Sequence, residues 1–246
     1  MRWLCFLLVS PALSQARAGK PLRFDVAALP ATRDSFVYMV DHTARGFAVW
    51  QYEHKAREQG EQVVYTQYSQ LEPVEEEETR VVLDGVTGAP ITSVYHLELF
   101  SPASDTLVLE HDLSLTPGGV EGRRRVRTKD GKIQVATVSR VLPAGTVWFQ
   151  YQLYAAAVTN AGPGDTLSCA AYNEAKDLLT TLTFTAGQPT TIKVPAGRFE
   201  VLPLRSGDLR LYVTRAAPRR VVKGETPDGR FSFELVSSGP VVPTQP

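Results

Sequence analysis

Residues 106–115 read TLVLEHDLSL, and this stretch decides the fold because apolar and polar residues largely alternate along it. Successive side chains of a β-strand point to opposite faces of a sheet, so residues two apart share a face. The residues that would share one face are Leu107, Leu109, His111, Leu113 and Leu115. The alternation therefore predicts a strand with one face on a core and the other face in water.

The same two-residue period recurs along most of the chain and predicts about a dozen strands. Clear examples are 36–40, 209–213 and 231–235. Short turn-forming pairs separate the strands, and they include Asp84-Gly85, Asp130-Gly131 and Asp228-Gly229. Many strands joined by short turns are typical of an antiparallel meander.

Residues 147–158, VWFQYQLYAAAV, break this alternation and favour a helix. Apolar residues recur there at helical spacing, and a run of alanines follows them. Gln150 and Gln152 are the only strongly polar residues, so such a helix should be buried on most sides. A second, weaker helix is predicted within 165–177. The predicted fold is mainly β: a single-domain curved antiparallel sheet, either a half-barrel or a β-spiral, with one buried apolar helix.

The first eighteen residues, MRWLCFLLVSPALSQARA, have the layout of a cleaved export signal. Arg2 gives a positive start, residues 3–9 form an apolar run, and small residues stand where a signal peptidase reads. The apolar run is too short to span a bilayer. We therefore expect residues 1–18 to be a signal peptide that is cleaved near Ala18/Gly19.

The remaining chain is predicted to form one β-rich domain over residues 19–236, followed by a Pro-rich tail over 237–246. It has one cysteine, Cys169, so the exported protein would have no disulfide. No second apolar stretch approaches the roughly 20 residues that a membrane helix needs, so no transmembrane segment is expected after signal cleavage. The 26 basic and 26 acidic residues balance, and no nucleic-acid partner is expected because the chain has no field to attract one.

The C-terminal third carries a family resemblance. Residues 191–205 read TIKVPAGRFEVLPLR, and LRLYVT at 209–214, APRRVVK at 217–223 and GRFSFEL at 229–235 follow. This series resembles a bacterial periplasmic envelope family of unknown function, and LPAGT at 142–146 resembles the related envelope-integrity family of open β-spirals. The resemblance implies an exported, nearly all-β protein of the periplasm, similar in shape to lipoprotein-carrier half-barrels, which hold acyl chains against a concave sheet. It implies no functional residues.

No catalytic residue, cofactor or metal site is predicted. The four histidines form no close metal-binding pair in the sequence, although His96 and Glu98 could share a strand face. There is no G-x-S-x-G motif, and no base stands beside Cys169 in the sequence. A lone cysteine more often packs as a small apolar residue than it acts as a nucleophile. We therefore expect a protein that is not an enzyme.

Aromatic residues of the predicted helix and of the strand near residue 50 are the candidates for lining a ligand cavity. The candidates are Trp148, Phe149, Tyr151, Tyr154, Phe47 and Trp50. If the helix faces this strand across a gap, the rings would line a cavity for an acyl chain. The alternative is that they fill the core completely, because protein interiors are normally close-packed.

Four cations alternate along one predicted strand and are the candidates for binding an anionic head group. They are Arg123, Arg125, Arg127 and Lys129, whereas Arg124 would lie on the other face. Guanidinium groups match the oxygen atoms of a phosphate. The alternative is a solvated outer face, or pairing with acids such as the block at 75–78.

Taken together, these features favour a non-enzymatic periplasmic protein that binds a lipid or another hydrophobic envelope component. The first alternative is a structural or interaction protein that supports cell-envelope integrity without a ligand and contacts an envelope protein partner. A further alternative is a hydrolase, whose catalytic residues no motif identifies. These three functions make different demands on the structure: an open pocket, an exposed sheet edge, or a cluster of reactive side chains.

Overall fold

The computed structural model describes residues 20–58, 60–100, 105–116 and 118–241, and within these ranges the chain forms seventeen strands and one short α-helix. The predicted signal peptide lies outside the described residues. The strands are β1 (Lys20–Pro21), β2 (Thr32–Val40), β3 (Thr43–Arg57), β4 (Gly60–Leu71), β5 (Glu75–Asp84), β6 (Pro90–Leu99), β7 (Thr106–Thr116), β8 (Gly119–Thr128), β9 (Ile133–Val141), β10 (Val147–Trp148), β11 (Thr166–Asn173), β12 (Leu178–Ala186), β13 (Thr190–Val194), β14 (Gly197–Ser206), β15 (Leu209–Thr214), β16 (Val221–Glu225) and β17 (Phe231–Pro240). The α-helix α1 is Tyr151–Tyr154, and 3₁₀ turns lie at Val26–Ala28 and Ala156–Val158.

All the described strands belong to one open, curved sheet, which confirms the predicted mainly β fold. Consecutive strands pair from β2 to β9 and from β13 to β17, β11 pairs with β12, and both β12 and β13 pair with β14. Because β17 pairs with β2, the two halves form one continuous surface. These pairings are antiparallel. The sheet departs from the prediction at one edge, where β1 and β10 both pair with β11 in parallel.

Strand β7, which contains residues 106–115, has the predicted two-sided character except at Val108, which is buried although it lies on the face predicted to be in water. Leu109, His111 and Leu113 are buried, whereas Asp112 and Ser114 are exposed. Because cross-strand partners share a face, the same division continues into β6 and β8. We call the side of the sheet that carries Leu109, His111 and Leu113 the inner face and the opposite side the outer face.

The two ends of the sheet approach one another across a seam that side chains bridge. The loop 142–146 carries the chain from β9 at one edge to β10 at the other. Arg140 on β9 donates to Asp177, which follows β11, through Nε at 3.0 Å and Nη2 at 2.8 Å. Arg124 on β8 donates to the carbonyl oxygen of Ala175 in the same turn. These contacts hold the open sheet in a nearly closed, barrel-like form.

Strand β9 is an exposed edge of the sheet. Eight of its nine residues are exposed, and Val138 is the buried one. Its exposed apolar residues include Ile133, Val135 and Val141. An edge strand presents unpaired backbone N–H and C=O groups, which another strand can bind.

The segment 147–158 is buried as predicted, but it contains only four α-helical residues. Val147 and Trp148 pair with β11 instead, and the 3₁₀ turn follows α1. Tertiary hydrogen bonds tie the segment to distant strands and turns: the Tyr151 hydroxyl donates to the Gly88 carbonyl oxygen at 2.6 Å, and the Tyr52 hydroxyl donates to the Tyr154 carbonyl oxygen at 3.1 Å. Local helix propensity is weak, and tertiary contacts override it here.

Two further boundaries differ from the sequence prediction. Residues predicted as a weak helix at 165–177 form strand β11, because β12 pairs along its whole length. The predicted tail at 237–246 begins inside strand β17, whose residues Ser237–Pro240 pair with β2. The sheet therefore extends past residue 236, because the start of the predicted tail pairs with β2. Residues 242–246 lie outside the described part of the chain.

Candidate functional site

Four of the six aromatic cavity candidates form the centre of the core. Trp148 and Tyr151 are 0% exposed, Tyr154 is 1% exposed and Trp50 is 2% exposed. Their rings are in direct contact with others: the Tyr151 and Tyr154 centroids are 5.1 Å apart, and Tyr154 stacks on Tyr65 at 4.6 Å. These contacts are those of a close-packed interior. A ligand contact of these rings stays a prediction.

The other two candidates lie apart from this cluster. Phe149 is partly buried and packs at the margin of the core. Phe47 is 41% exposed on the outer face, where its ring lies 5.7 Å from that of Tyr68. Phe47 and Trp50 are three residues apart on one strand, so they point to opposite faces. A pocket of about 560 Å³ on the outer face includes Phe47 in its wall.

Three of the four residues of the predicted basic stripe lie on the outer face of β8, and the fourth, Lys129, is exposed in the turn that follows the strand. Arg123, Arg125 and Arg127 are exposed on the outer face, and Arg124 points to the inner face as predicted. Arg125 Nη1 donates to Glu110 Oε2 at 2.8 Å, and this guanidinium holds the pKa of Glu110 below its usual value. The acid block 75–78 lies on β5, and two strands, β6 and β7, separate it from the basic stripe on β8.

Head-group binding by the stripe stays a prediction. Arg123 and Arg127 form no ion pair with any residue that the structure describes, so they remain available to an anion. On β6, His96 lies between two carboxylates: its Nδ1 is 3.1 Å from Glu110 Oε1, and its Nε2 is 3.4 Å from Glu98 Oε1. The predicted sharing of a face by His96 and Glu98 is thus observed.

An apolar pocket opens where the strands end beside the buried segment 147–158. We call this cavity of about 680 Å³ the end pocket. Its apolar lining residues include Leu22, Phe24, Pro90, Leu115, Leu142 and Val147. Phe24 is held in the wall by Tyr151, whose ring centroid is 4.9 Å from its own. Val147 lines the pocket, whereas its fully buried neighbour Trp148 does not.

The sequence did not reveal the end pocket, because its walls come from separate parts of the chain. They include the N-terminal segment, the β5–β6 turn, the end of β7 and the loop 142–146. The one local signal was the LPAGT turn at 142–146, which supplies five of the lining residues. In the sequence, that turn indicated only the fold, because its residues do not show which other segments they contact.

A second cavity, of about 560 Å³, adjoins the end pocket and contains a half-buried cation. We call it the arginine pocket. Arg23 and Phe24 line both cavities, whereas Arg219 lines the arginine pocket and not the end pocket. Arg219 donates from Nη1 to the Thr159 carbonyl oxygen at 3.1 Å and from Nε to the Thr214 carbonyl oxygen at 3.4 Å. Burial lowers the pKa of this guanidinium.

The inner face also carries a polar row beyond the apolar core. Gln67, Thr79, Tyr95, His111 and Arg124 are successive cross-strand partners from β4 to β8. The His111 ring stacks on Tyr95 with centroids 5.1 Å apart. Burial, with the Arg124 charge as a smaller cause, lowers the pKa of His111 to about 3. This imidazole is therefore neutral at physiological pH.

One partly buried carboxyl group, of Glu77, and one buried carboxyl group, of Glu174, border this row. Burial raises the pKa of Glu77 to about 7, and Gln67 Nε2 donates to its Oε2 at 2.9 Å. Glu174 is 2% exposed, and burial raises its pKa to about 8. Its Oε1 atom has no hydrogen-bond partner among the described residues. Glu174 was not singled out from the sequence, because it stood in the weak helix predicted at 165–177.

The reactive groups of the described residues include a buried serine–histidine contact, with Ser93 Oγ 3.0 Å from His111 Nε2, and one thiol. Cys169 is partly buried, and burial raises the pKa of its thiol to about 11, so it is a poor nucleophile at neutral pH. No three His, Cys, Asp or Glu side chains of the described residues are placed to hold a metal ion. Within the same residues, no helix has the length and apolar character to cross a membrane.

Comparisons with known proteins give one structural similarity. The chain is similar to a crystal structure of a β-barrel-like protein of a domain of unknown function, DUF1849, from Brucella abortus, with 13% identity and a TM-score of 0.47. The similarity covers 85% of this chain and 97% of that chain. No protein-family model matches the chain, and no curated protein matches it.

Proposed function

We propose that this protein is not an enzyme and that it binds a lipid or another hydrophobic component of the cell envelope in the end pocket. The observation that carries the proposal is an open pocket of about 680 Å³ that is lined mainly by apolar side chains. Sites for small molecules commonly have volumes of about 300 to 1,000 Å³ and mostly apolar walls. Burying an apolar chain there would remove both the chain and the pocket wall from water.

The proposal places the ligand at the strand ends rather than among the rings of the core. Trp148, Tyr151 and Tyr154 already contact their neighbours, so a ligand between them would have to displace packed side chains. The end pocket needs no such displacement because it is open. The core aromatics would then act as its rigid floor, since the Tyr151 hydroxyl holds the Gly88 carbonyl oxygen of the pocket wall.

The cellular setting is part of the same proposal. The export signal at 1–18 and the resemblance of the C-terminal turns support a periplasmic envelope protein, with one β-rich domain that begins near Gly19. N-terminal sequencing of the protein from a periplasmic extract should then read from Gly19, and an intact Met1 would contradict export by cleavage. An envelope protein partner also stays a prediction, for which the edge of β9 is an available surface.

Filling the end pocket should abolish binding of a neutral apolar probe. Ala89 and Ala144 line the pocket and are exposed, so phenylalanine at both positions would project into it at little cost to the fold. We expect Ala89→Phe/Ala144→Phe to weaken the binding of N-phenyl-1-naphthylamine at least tenfold, measured by the fluorescence increase of the dye.

The matched control is Val86→Phe/Val141→Phe, which adds two rings at residues that are 81% and 91% exposed and do not line the pocket. This variant should bind the dye like the wild-type protein. Absence of dye binding to the wild-type protein, or equal binding by the two double variants, would contradict a ligand site in the end pocket.

A further inference from the structure

We infer that the ligand is amphipathic and anionic, with its apolar chain in the end pocket and its carboxylate or phosphate group bound by Arg219 and Arg23 in the arginine pocket. The inference rests on the proposed function and specifies the chemistry of its ligand. The first ground is adjacency: Arg23 and Phe24 line both cavities, so a molecule that leaves the end pocket at this point meets the arginine pocket.

The second ground is the state of Arg219. A guanidinium group has five N–H donors. Two of those in Arg219 are used, and both go to neutral carbonyl oxygens, of Thr159 and Thr214. Arg219 forms no ion pair with a carboxylate in the described ranges, although it is partly buried. A buried cation is costly unless an anion compensates it, and the two carbonyl oxygens fix this one in place before an anion arrives.

The third ground is the balance of charge around the cavity. Arg23 lines the arginine pocket with an exposed side chain that forms no ion pair with the described residues, and Arg219 is the second arginine in its wall. Asp25 is the acidic residue in the lining of the arginine pocket. Two arginines against one aspartate leave an excess of positive charge in this pocket. Forked guanidinium donors are well suited to the paired oxygen atoms of a carboxylate or phosphate.

The fourth ground is the contrast between the two cavities. Apart from Arg23 at the junction, no charged residue appears in the lining of the end pocket. The apolar walls of the end pocket therefore adjoin, at Arg23 and Phe24, a pocket that holds two cations without ion pairs among the described residues. A fatty acid or a lipid phosphate has the same division along its length, whereas a free phosphate ion would use the arginine pocket alone.

The test compares ligands that share a chain and differ in the head group. Dodecanoate, dodecyl phosphate, dodecanol and inorganic phosphate would each compete with bound N-phenyl-1-naphthylamine. We expect dodecanoate and dodecyl phosphate to displace the dye from the wild-type protein at concentrations at least tenfold lower than dodecanol. Inorganic phosphate should not displace it at those concentrations.

Substitutions then assign the preference to the arginines. Arg23→Gln and Arg219→Gln should each reduce the preference for dodecanoate over dodecanol at least threefold while dodecanol still binds. Arg23→Gln keeps the test valid if Arg219→Gln fails to fold, because the Arg23 side chain is exposed. Arg45→Gln is the matched control: Arg45 is an exposed arginine at the start of β3, which is at the other end of the strands, and the preference should not change.

The outcomes separate this inference from the proposed function. Equal displacement by dodecanoate and dodecanol, or an unchanged preference in Arg23→Gln and Arg219→Gln, would overturn the inference and leave hydrophobic binding intact. Displacement by inorganic phosphate as effective as that by dodecyl phosphate would also overturn it, since the site would then bind a free anion. Failure of the wild-type protein to bind the dye would instead remove the proposed function itself.

Discussion

Replacing Glu174 by glutamine is expected to raise the free energy of unfolding at pH 9.5 by about 5 kcal/mol and to leave it nearly unchanged at pH 4. Glu174 is 2% exposed, and its Oε1 has no hydrogen-bond partner in the described part of the chain. Burial raises its pKa to about 8 from an ordinary value of 4.5. Glutamine has nearly the same shape and carries no charge, so it removes the cost of ionisation.

The sign follows from proton binding. Below pH 4.5 the carboxyl group is protonated in the folded and the unfolded protein, so it adds no pH dependence. Between pH 4.5 and about pH 8 the folded state holds the proton and the unfolded state has released it, so stability falls as the pH rises. Above pH 8 the full cost is present, and at about 1.4 kcal/mol for each tenfold change in proton affinity it reaches about 5 kcal/mol.

Urea unfolding of the wild-type protein and Glu174→Gln at pH 4, 7 and 9.5 would measure this difference. Glu121→Gln is the control, because Glu121 is exposed on β8 and no comparable change with pH is expected for it. An equal gain in stability at pH 4 and pH 9.5 would show that packing, rather than ionisation of Glu174, causes the effect.

Trp148→Ala should lower the free energy of unfolding by about 3 kcal/mol. Trp148 is fully buried, and truncation of such a ring in a core typically costs about 3 to 5 kcal/mol through lost burial and the cavity left behind. The lower end is expected because the Trp148 Nε1 donor is buried without an acceptor in the described ranges, and removing it relieves part of the cost. Unfolding followed by circular dichroism would measure the change.

Phe47→Ala is the comparison for this variant, because both residues were candidates for the same ligand cavity. Phe47 is 41% exposed, so its truncation should cost about 1 kcal/mol. A much larger loss at Trp148 than at Phe47 is the result expected if Trp148 is part of the packed core. Equal, small losses would mean that Trp148 borders an unfilled space.

Most strands could be predicted from the sequence because the alternation of apolar and polar residues is a local pattern. Alternation along residues 106–115 depends only on neighbours two positions away, and the structure places Leu109, His111 and Leu113 on the inner face. The helix predicted at 147–158 was too long. Helix propensity depends on local residues alone, whereas Val147 and Trp148 pair with the distant strand β11. Burial of this segment followed from its composition, whereas its backbone conformation depended on a distant partner.

The candidate site was less accessible to sequence reasoning, since its residues come together only through the fold. The end pocket joins Leu22, Pro90, Leu115 and Leu142, which belong to separate turns and strand ends. Arg219 stood in the APRRVVK stretch as one of two adjacent arginines, and no local pattern distinguishes it from Arg220, which lies 3.5 Å from Asp34. Only the tertiary structure shows that Arg220 forms an ion pair and that Arg219 forms none with the described residues.

The pairing of β17 with β2 has a consequence for the order in which the protein assembles. Each of the two meanders can form by closing short hairpins, and such local closures cost little chain entropy. The pairing of β17 with β2 joins the two meanders and can form only after the last strand is available. The ion pair that flanks this pairing, Asp41 with Arg230, joins residues that are 189 positions apart. A chain that ends before residue 231 would therefore leave β2 as an open edge, available to another incomplete chain.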